Sequence, residues 1–374
     1  MIAAALVFAA AVLCAPVSAH SARCACVMDA QTGTILYAKN EMQPSLIAST
    51  TKIMTGLLVC EDCDLTQEIV VPAEAAGIEG SSLYLKAGDR VTVETLLYGM
   101  LLRSGNDCAC ALAIAHSGSV DAFVQAMNTR ARALGLRQTR FANPHGLDDE
   151  DNYSTAADLA RLACKAMENE RFARVAGTKS FRFGDQTIVN HNRLLWRYPG
   201  ADGVKTGYTK AAGRILASSA VRQGRRLICV TIHDPDDWND HCSLLDEGFS
   251  AFSDTPLCEK GRVLGVFPSG RPAVCADDVH ALLLPGERVD CLRVTLENAE
   301  ARAEFICAGR VLAACPLIEK GAGKTNGRTD TEDHSRPGRD VPPAGGGVDT
   351  PRPGAPERQH GPAGGSGRSG ARRH

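Results

Sequence analysis

The chain has 374 residues, 44% of them hydrophobic and 22% charged, which is globular composition with apolar material for more than one core and excludes a fibrous or wholly disordered polymer. With 41 Lys and Arg against 43 Asp and Glu, the formal net charge is -2, and no strong global field exists to attract nucleic acid or anionic lipid. Residues 319–374 carry ten basic and seven acidic side chains, a net of +3 that leaves the body at -5, so that tail is read apart from the rest.

Residues 2–15 form an apolar run rich in Ala, Val and Leu, followed by Pro16-Val17-Ser18-Ala19, a small-residue pattern that a signal peptidase cleaves. Residues 1–19 are therefore expected to be a signal peptide and the protein to be exported, although Met1-Ile2 supplies no basic n-region. The run is short for a bilayer span, and no small residue precedes Cys14 as in a lipoprotein signal, so no lipid anchor is expected. Residues 24–29 and 33–38 alternate around Ala30-Gln31-Thr32-Gly33 and read as a hairpin. Helical periodicity follows at 49–58, 93–102, 107–116, 120–134 and 156–167, a helical block inserted after the first sheet elements. Short apolar runs at 203–208, 215–220 and 226–232 return the chain to strand, and a closing helix is expected at 238–249. From Pro256 to about Ile318, strand-like pieces such as 262–267 and 289–294 alternate with Gly and Pro, which reads as a small β-rich region. Residues 319–374 hold 13 Gly and seven Pro, and no Phe, Trp or Tyr follows Phe305, so this tail is expected to be disordered.

Two local patterns are set aside. Gly323-Lys324-Thr325 superficially resembles a phosphate loop, but Ile318 stands where the first Gly belongs. Cys60-Glu61-Asp62-Cys63 is the one C-x-x-C among 15 cysteines, without a second pair or a neighbouring His to complete a zinc site, and most of the cysteines read as small core hydrophobes.

Ser49-Thr50-Thr51-Lys52 is the only S-x-x-K. On a helix, residues three apart share a face, which places the Lys52 amine beside the Ser49 hydroxyl. A lysine takes a serine proton only if burial or another cation lowers its pKa. Alone, the motif also fits an ordinary helix N-terminus, Ser104-Gly105-Asn106 a capped turn, and Lys205-Thr206-Gly207 an edge strand. In this order, 55 and 101 residues apart, the three resemble the penicillin-recognising serine acyltransferases.

The surrounding residues narrow the resemblance. Ala48-Ser49-Thr50-Thr51-Lys52-Ile53-Met54-Thr55, Ser104-Gly105-Asn106-Asp107, Asn143-Pro144-His145-Gly146-Leu147 and Asp202-Gly203-Val204-Lys205-Thr206-Gly207 look like the D-alanyl-D-alanine carboxypeptidase family of low-molecular-mass penicillin-binding proteins. The likeness covers about 24–255 and, more loosely, the β-rich segment to 318. It implies an α/β (α+β) fold, with an antiparallel sheet flanked by helices, an inserted all-helical subdomain and a small C-terminal β-rich domain. The expected division is 1–19 signal, 20–255 carboxypeptidase domain, 256–318 β-rich domain and 319–374 tail.

The resemblance also implies roles. Ser49 is the expected nucleophile toward the carbonyl between the two terminal D-alanines of a peptidoglycan stem peptide, Lys52 its base, and Ser104 the proton relay to the leaving D-alanine. Asn106 is expected to hold the substrate amide, Lys205 and Thr206 to attract the terminal carboxylate, and Gly207 to let the peptide approach as an added strand. The oxyanion hole falls to the N–H groups of Ser49 and Tyr208. No cofactor or metal is called for; the expected partners are the stem peptide and β-lactams as covalent inhibitors, with no nucleic acid and no membrane anchor.

Three rivals are weighed. A β-lactamase-like hydrolase is disfavoured because E-x-x-L-N is missing and the middle motif is S-G-N. A metallopeptidase using His233, Asp234, Asp236, Asp237 and His241 lacks H-E-x-x-H. A peptidoglycan-binding protein without turnover would have no need of the reactive groups that all three motifs keep. His145 is read as fixing its loop, and Arg193 as a substrate contact outside the catalytic set.

Overall fold

The structure, a computed structural model, describes residues 20–296 and 301–320. The expected signal peptide, the Gly323-Lys324-Thr325 pattern and nearly all of the tail lie outside the described residues.

The chain opens with β1 (Cys24–Asp29), buried along its whole length, and β2 (Ile35–Lys39), antiparallel to it across a turn that Gly33 closes at φ 72°. Small side chains suit β1 because both of its faces are covered: Cys24, Cys26 and Met28 enter one core, and Ala25 and Val27 another. β3 (Ser45–Leu46) leads into a 3-10 turn, Ala48–Thr51, that continues directly as α1 (Lys52–Asp62). β4 (Glu68–Val70) and β5 (Arg90–Thr92) pair, and the Thr92 hydroxyl accepts from the Thr95 N–H to start α2 (Val93–Arg103). α3 (Asn106–Ser117) and α4 (Val120–Ala133) follow, separated by a left-handed Gly118 and a Ser119 cap.

β6 (Tyr153–Ser154) returns to pair with β3, and α5 (Ala156–Glu168) lays its apolar side on the sheet. α6 (Glu170–Ala176) begins at Asn169, whose side chain caps two N–H groups, and the β7 (Ser180–Phe183) and β8 (Gln186–Val189) hairpin and α7 (Leu194–Arg197) follow. β9 (Ala201–Thr209), β10 (Gly213–Arg222) and β11 (Arg225–Ile232) complete a five-stranded antiparallel sheet in the order β2-β1-β11-β10-β9, which leaves β9 as an edge. α8 (Asp237–Ser250) covers the other face.

β12 (Ser253–Cys258) spans the expected boundary at 255, and the described residues on both sides of it fall in one compact unit. β13 (Val263–Val266), β14 (Pro272–Cys275), β15 (Val279–Leu283), β16 (Cys291–Thr295), β17 (Arg302–Cys307) and β18 (Arg310–Glu319) form the β-rich region, with a third apolar core around Cys275, Phe305 and Leu317. An ion-pair chain ties this region to the large sheet. The Arg225 guanidinium, only 3% exposed, reaches Asp29 at 3.2 Å and Glu287 at 2.6 Å, while Arg310 reaches the other Glu287 oxygen at 2.8 Å. The Arg225 guanidinium also lies over the Phe252 ring, 4.8 Å from its centroid.

α1 comes close to its neighbours because Gly56 has no side chain. A Cβ there would lie 2.8 Å from the fully buried Phe172 ring of α6. Phe172→Ala should therefore leave a cavity behind α1 and cost about 3–5 kcal/mol, read as a lower urea midpoint with an unchanged slope.

Candidate active site

Ser49 sits on the 3-10 turn, and two glycines press that turn into place. Gly146 lies at φ +88°, and a Cβ on it would clash with the Ala48 carbonyl and approach the Ser49 nitrogen to 2.9 Å. A Cβ on Gly207 of β9 would lie 3.3 Å from the Ile47 oxygen and from the Ser49 and Thr50 nitrogens. Gly207 was expected to make room for a peptide; its bare Cα also makes room for the Ser49 turn against the strand.

One turn on, Lys52 is fully buried. Its Nζ lies 3.1 Å from Ser49 Oγ and 2.7 Å from Asn106 Oδ1, and it donates to the His145 carbonyl. Burial, and then the charge of Lys205, hold its amine well below the ordinary lysine range. A neutral amine has two N–H donors and one lone pair. Asn106 Oδ1 and the His145 oxygen are acceptors only, so they take both donors, and the lone pair is left facing the Ser49 hydroxyl.

Asn106 has a duty beyond the substrate contact expected of it. Its Oδ1 is occupied by Lys52 and its Nδ2 donates to the Glu79 carbonyl at 2.6 Å, so both ends of the amide are engaged within the protein. The side chain positions the amine, and its second N–H and second lone pair are left for a substrate amide. The neighbouring Asp107, to which the sequence reading gave no role, is buried and accepts from the Leu83 and Leu85 N–H groups and the Ser82 hydroxyl, fastening the loop that ends in β5 to the start of α3. The other missed partners are backbone atoms. Thr55 donates to the Pro144 carbonyl at 2.7 Å, one helical turn beyond Lys52 and its bond to His145, while Asn143 Oδ1 accepts from the Gly146 N–H at 2.6 Å. The His145 ring accepts from the Leu147 N–H, consistent with a loop-fixing role, and burial beside Lys52 pulls its pKa down to about 4.

Ser104 ends α2 in the left-handed region at φ 64°, which turns the chain abruptly into α3 and leaves Ser104 in the wall of an open cleft. The cleft, about 860 Å³, runs along the β9 edge, and Ser49, Ser104, Thr206, Gly207 and Tyr208 line it. Lys205 points inward from β9, 1% exposed, with its Nζ 2.9 Å from the Thr206 oxygen; burial pulls its pKa down to about 7. Arg103 and Arg193 also line the cleft, and neither forms an ion pair among the described residues; Arg214 lines it too but is held by Asp237 in a two-pronged bond. All eight site residues expected from sequence thus gather here, five in the cleft wall and Lys52, Asn106 and Lys205 buried.

The alternative clusters do not assemble. Among the described residues, no three His, Cys, Asp or Glu side chains group closely enough to hold a metal. Asp237 is held by Arg214, Asp234 accepts from Ser21, and the buried His241 ring bridges the Ser218 and Thr231 hydroxyls. Cys60 is buried, with its pKa pushed up to about 12, which makes it a poor nucleophile.

A serine beside a buried amine whose pKa burial holds down, under an edge strand carrying Lys-Thr-Gly, between a sheet and a helical block, defines a penicillin-recognising serine acyl-transfer protein. The family model described as D-alanyl-D-alanine carboxypeptidase matches residues 10–236, and the chain belongs to that family. D-alanyl-D-alanine carboxypeptidase DacF of Bacillus subtilis is 37% identical over 259 residues, 66% of this chain and 67% of its own. DacB2 of Mycobacterium tuberculosis is 36% identical over 236 residues, 60% of this chain and 81% of its own. Among solved structures, the Streptomyces K15 DD-transpeptidase superposes with a TM-score of 0.60 at 33% identity, covering 62% of this chain and 98% of its own. The chain is a serine-type hydrolase of the carboxypeptidase and penicillin-binding class.

Gly146→Ala should displace the Ser49 turn while leaving the distant β-rich core intact. Covalent labelling by a fluorescent penicillin should fall at least about tenfold, and circular dichroism should still report a folded protein.

Proposed function

We propose that this chain removes the terminal D-alanine from peptidoglycan stem pentapeptides through an ester on Ser49. The observation that carries the reading is the Lys52 amine, fully buried, with two acceptor oxygens on its hydrogens and the Ser49 hydroxyl at 3.1 Å. The peptide enters as an added strand along the β9 edge, its terminal carboxylate drawn to Lys205 and Thr206. Ser49 Oγ attacks the carbonyl carbon of the penultimate D-alanine while its proton passes to Lys52 Nζ. The negative oxygen is held by the Ser49 and Tyr208 N–H groups. As the C–N bond breaks, the proton reaches the leaving amine through Ser104, and water then hydrolyses the ester, regenerating the hydroxyl. Asn106 acts as a positioning residue for Lys52. A β-lactam enters the same first step and remains as a slowly hydrolysed ester.

Members of the family act on peptidoglycan outside the cytoplasm, and export of this chain follows from the same reading. Among the described residues, no helix is long and apolar enough to cross a membrane.

Intact-mass measurement after incubation with benzylpenicillin should show one adduct, mapped to Ser49 and lost in Ser49→Ala, and the parent should release D-alanine from a pentapeptide. An adduct elsewhere, or acylation without any D-alanine release, overturns the reading. Lys52→Ala should slow acylation by about 10²–10⁴.

The two lysines set opposite limbs of the pH profile. Lys52 must be deprotonated, so kcat/KM rises as pH climbs through its lowered pKa. Lys205 must be protonated to attract a carboxylate, so kcat/KM falls as pH passes about 7 in the free enzyme. Lys205→Arg, which stays charged, should abolish the alkaline limb and leave the acid limb in place.

A further inference from the structure

The β-rich region holds a group of thiols that the reaction does not use. Cys275, at the end of β14, is 0% exposed; Cys315, on β18, and Cys258, at the end of β12, are each 4% exposed. The Cys275 and Cys315 sulfurs are 2.7 Å apart, and Cys258 is buried in the same apolar core. Register explains the convergence. Cys275 sits opposite Leu317, so Cys315, two residues away on the same strand, faces the same side of the sheet as a diagonal neighbour.

Members of this family work outside the cytoplasm, where disulfides form and persist. We propose that Cys275 and Cys315 form a disulfide in the exported protein, with Cys258 kept as the adjacent free thiol. The reaction is an exchange. The thiolate of one cysteine attacks an external disulfide, carried by a thiol–disulfide oxidoreductase or a small-molecule disulfide, to give a mixed disulfide; the second thiolate then displaces the carrier. Two protons and two electrons leave the protein, and the oxidant departs as the dithiol form of the oxidoreductase or as two small-molecule thiols. Because the three sulfurs are buried once folding is complete, the bond closes while the sheet is assembling and is shielded from reductants afterwards. It would join residues 40 positions apart and so bracket β15, β16 and β17 within one covalent loop.

The full chain, expressed with export to a bacterial periplasm, is quenched in acid, unfolded and treated with N-ethylmaleimide before and after reduction. Two more maleimides are expected after reduction, and a non-reduced peptide map should contain a cross-linked pair carrying Cys275 and Cys315. Cys258→Ser should retain that pair, whereas Cys275→Ser should yield no cross-link between β14 and β18. Full alkylation before reduction, or a bond from Cys275 to Cys258 in the parent, overturns the proposal. The parent map suffices if a variant fails to fold. Benzylpenicillin labelling of Ser49 in the same sample reports separately on the active site, so loss of the thiol proposal and loss of the carboxypeptidase reading are distinguishable.

Discussion

The chemistry of this molecule rests on one buried amine. A lysine head enclosed by protein would carry a heavy desolvation cost if charged, so burial selects the neutral form. The Asn106 amide oxygen and a backbone carbonyl at residue 145 then fix which way that neutral group faces. Much else around it serves this arrangement. Gly146 and Gly207 let two backbones close on the Ser49 turn, Asp107 fastens the loop that ends in β5, and Asn143 folds the 143–147 segment so that its carbonyls face α1. The second buried lysine acts at a distance, since its charge lowers the pKa of the first.

The groups that do the chemistry were legible in the sequence; the groups that hold them were not. Ser49, Lys52, Ser104 and Lys205 stand in spaced motifs whose residue types are chemically constrained, and the periodicity at 93–102, 120–134 and 156–167 marks helices that the structure contains. The His145 and Glu79 carbonyls that bind Lys52 and Asn106 are backbone atoms, and any residue carries one, so no letter marks them. Asn106 was expected to contact substrate on the family resemblance; its bonds to the Lys52 amine and the Glu79 carbonyl appear only in three-dimensional packing. Short elements were lost for a different reason. α6 and the β7–β8 hairpin are too brief for periodicity to register, and their form depends on the helices and strands around them.

Cysteine was the least legible residue type. Read as small apolar filler, it is well placed in β1, where Cys24 and Cys26 alternate into one core beside a helix. In the β-rich region, however, register between β14 and β18 sets two thiols side by side, with a third from β12 in the same core, and nothing in their sequence spacing announces it.

The Arg225 ion pairs bear on how much of the chain a folded enzyme needs. This guanidinium lies in a strand of the large sheet yet depends on a carboxylate contributed far along the polymer, at Glu287, for its nearest ionic neighbour. Its Nε already lacks a hydrogen-bonding partner. Shortening the protein after α8 would strand a cation inside the larger lobe with Asp29 alone to balance it, and would remove the Phe252 ring over which the guanidinium lies. The β-rich lobe is thus a structural counterion for the half that carries the active site, and a boundary drawn from motif positions would cut through an electrostatic unit.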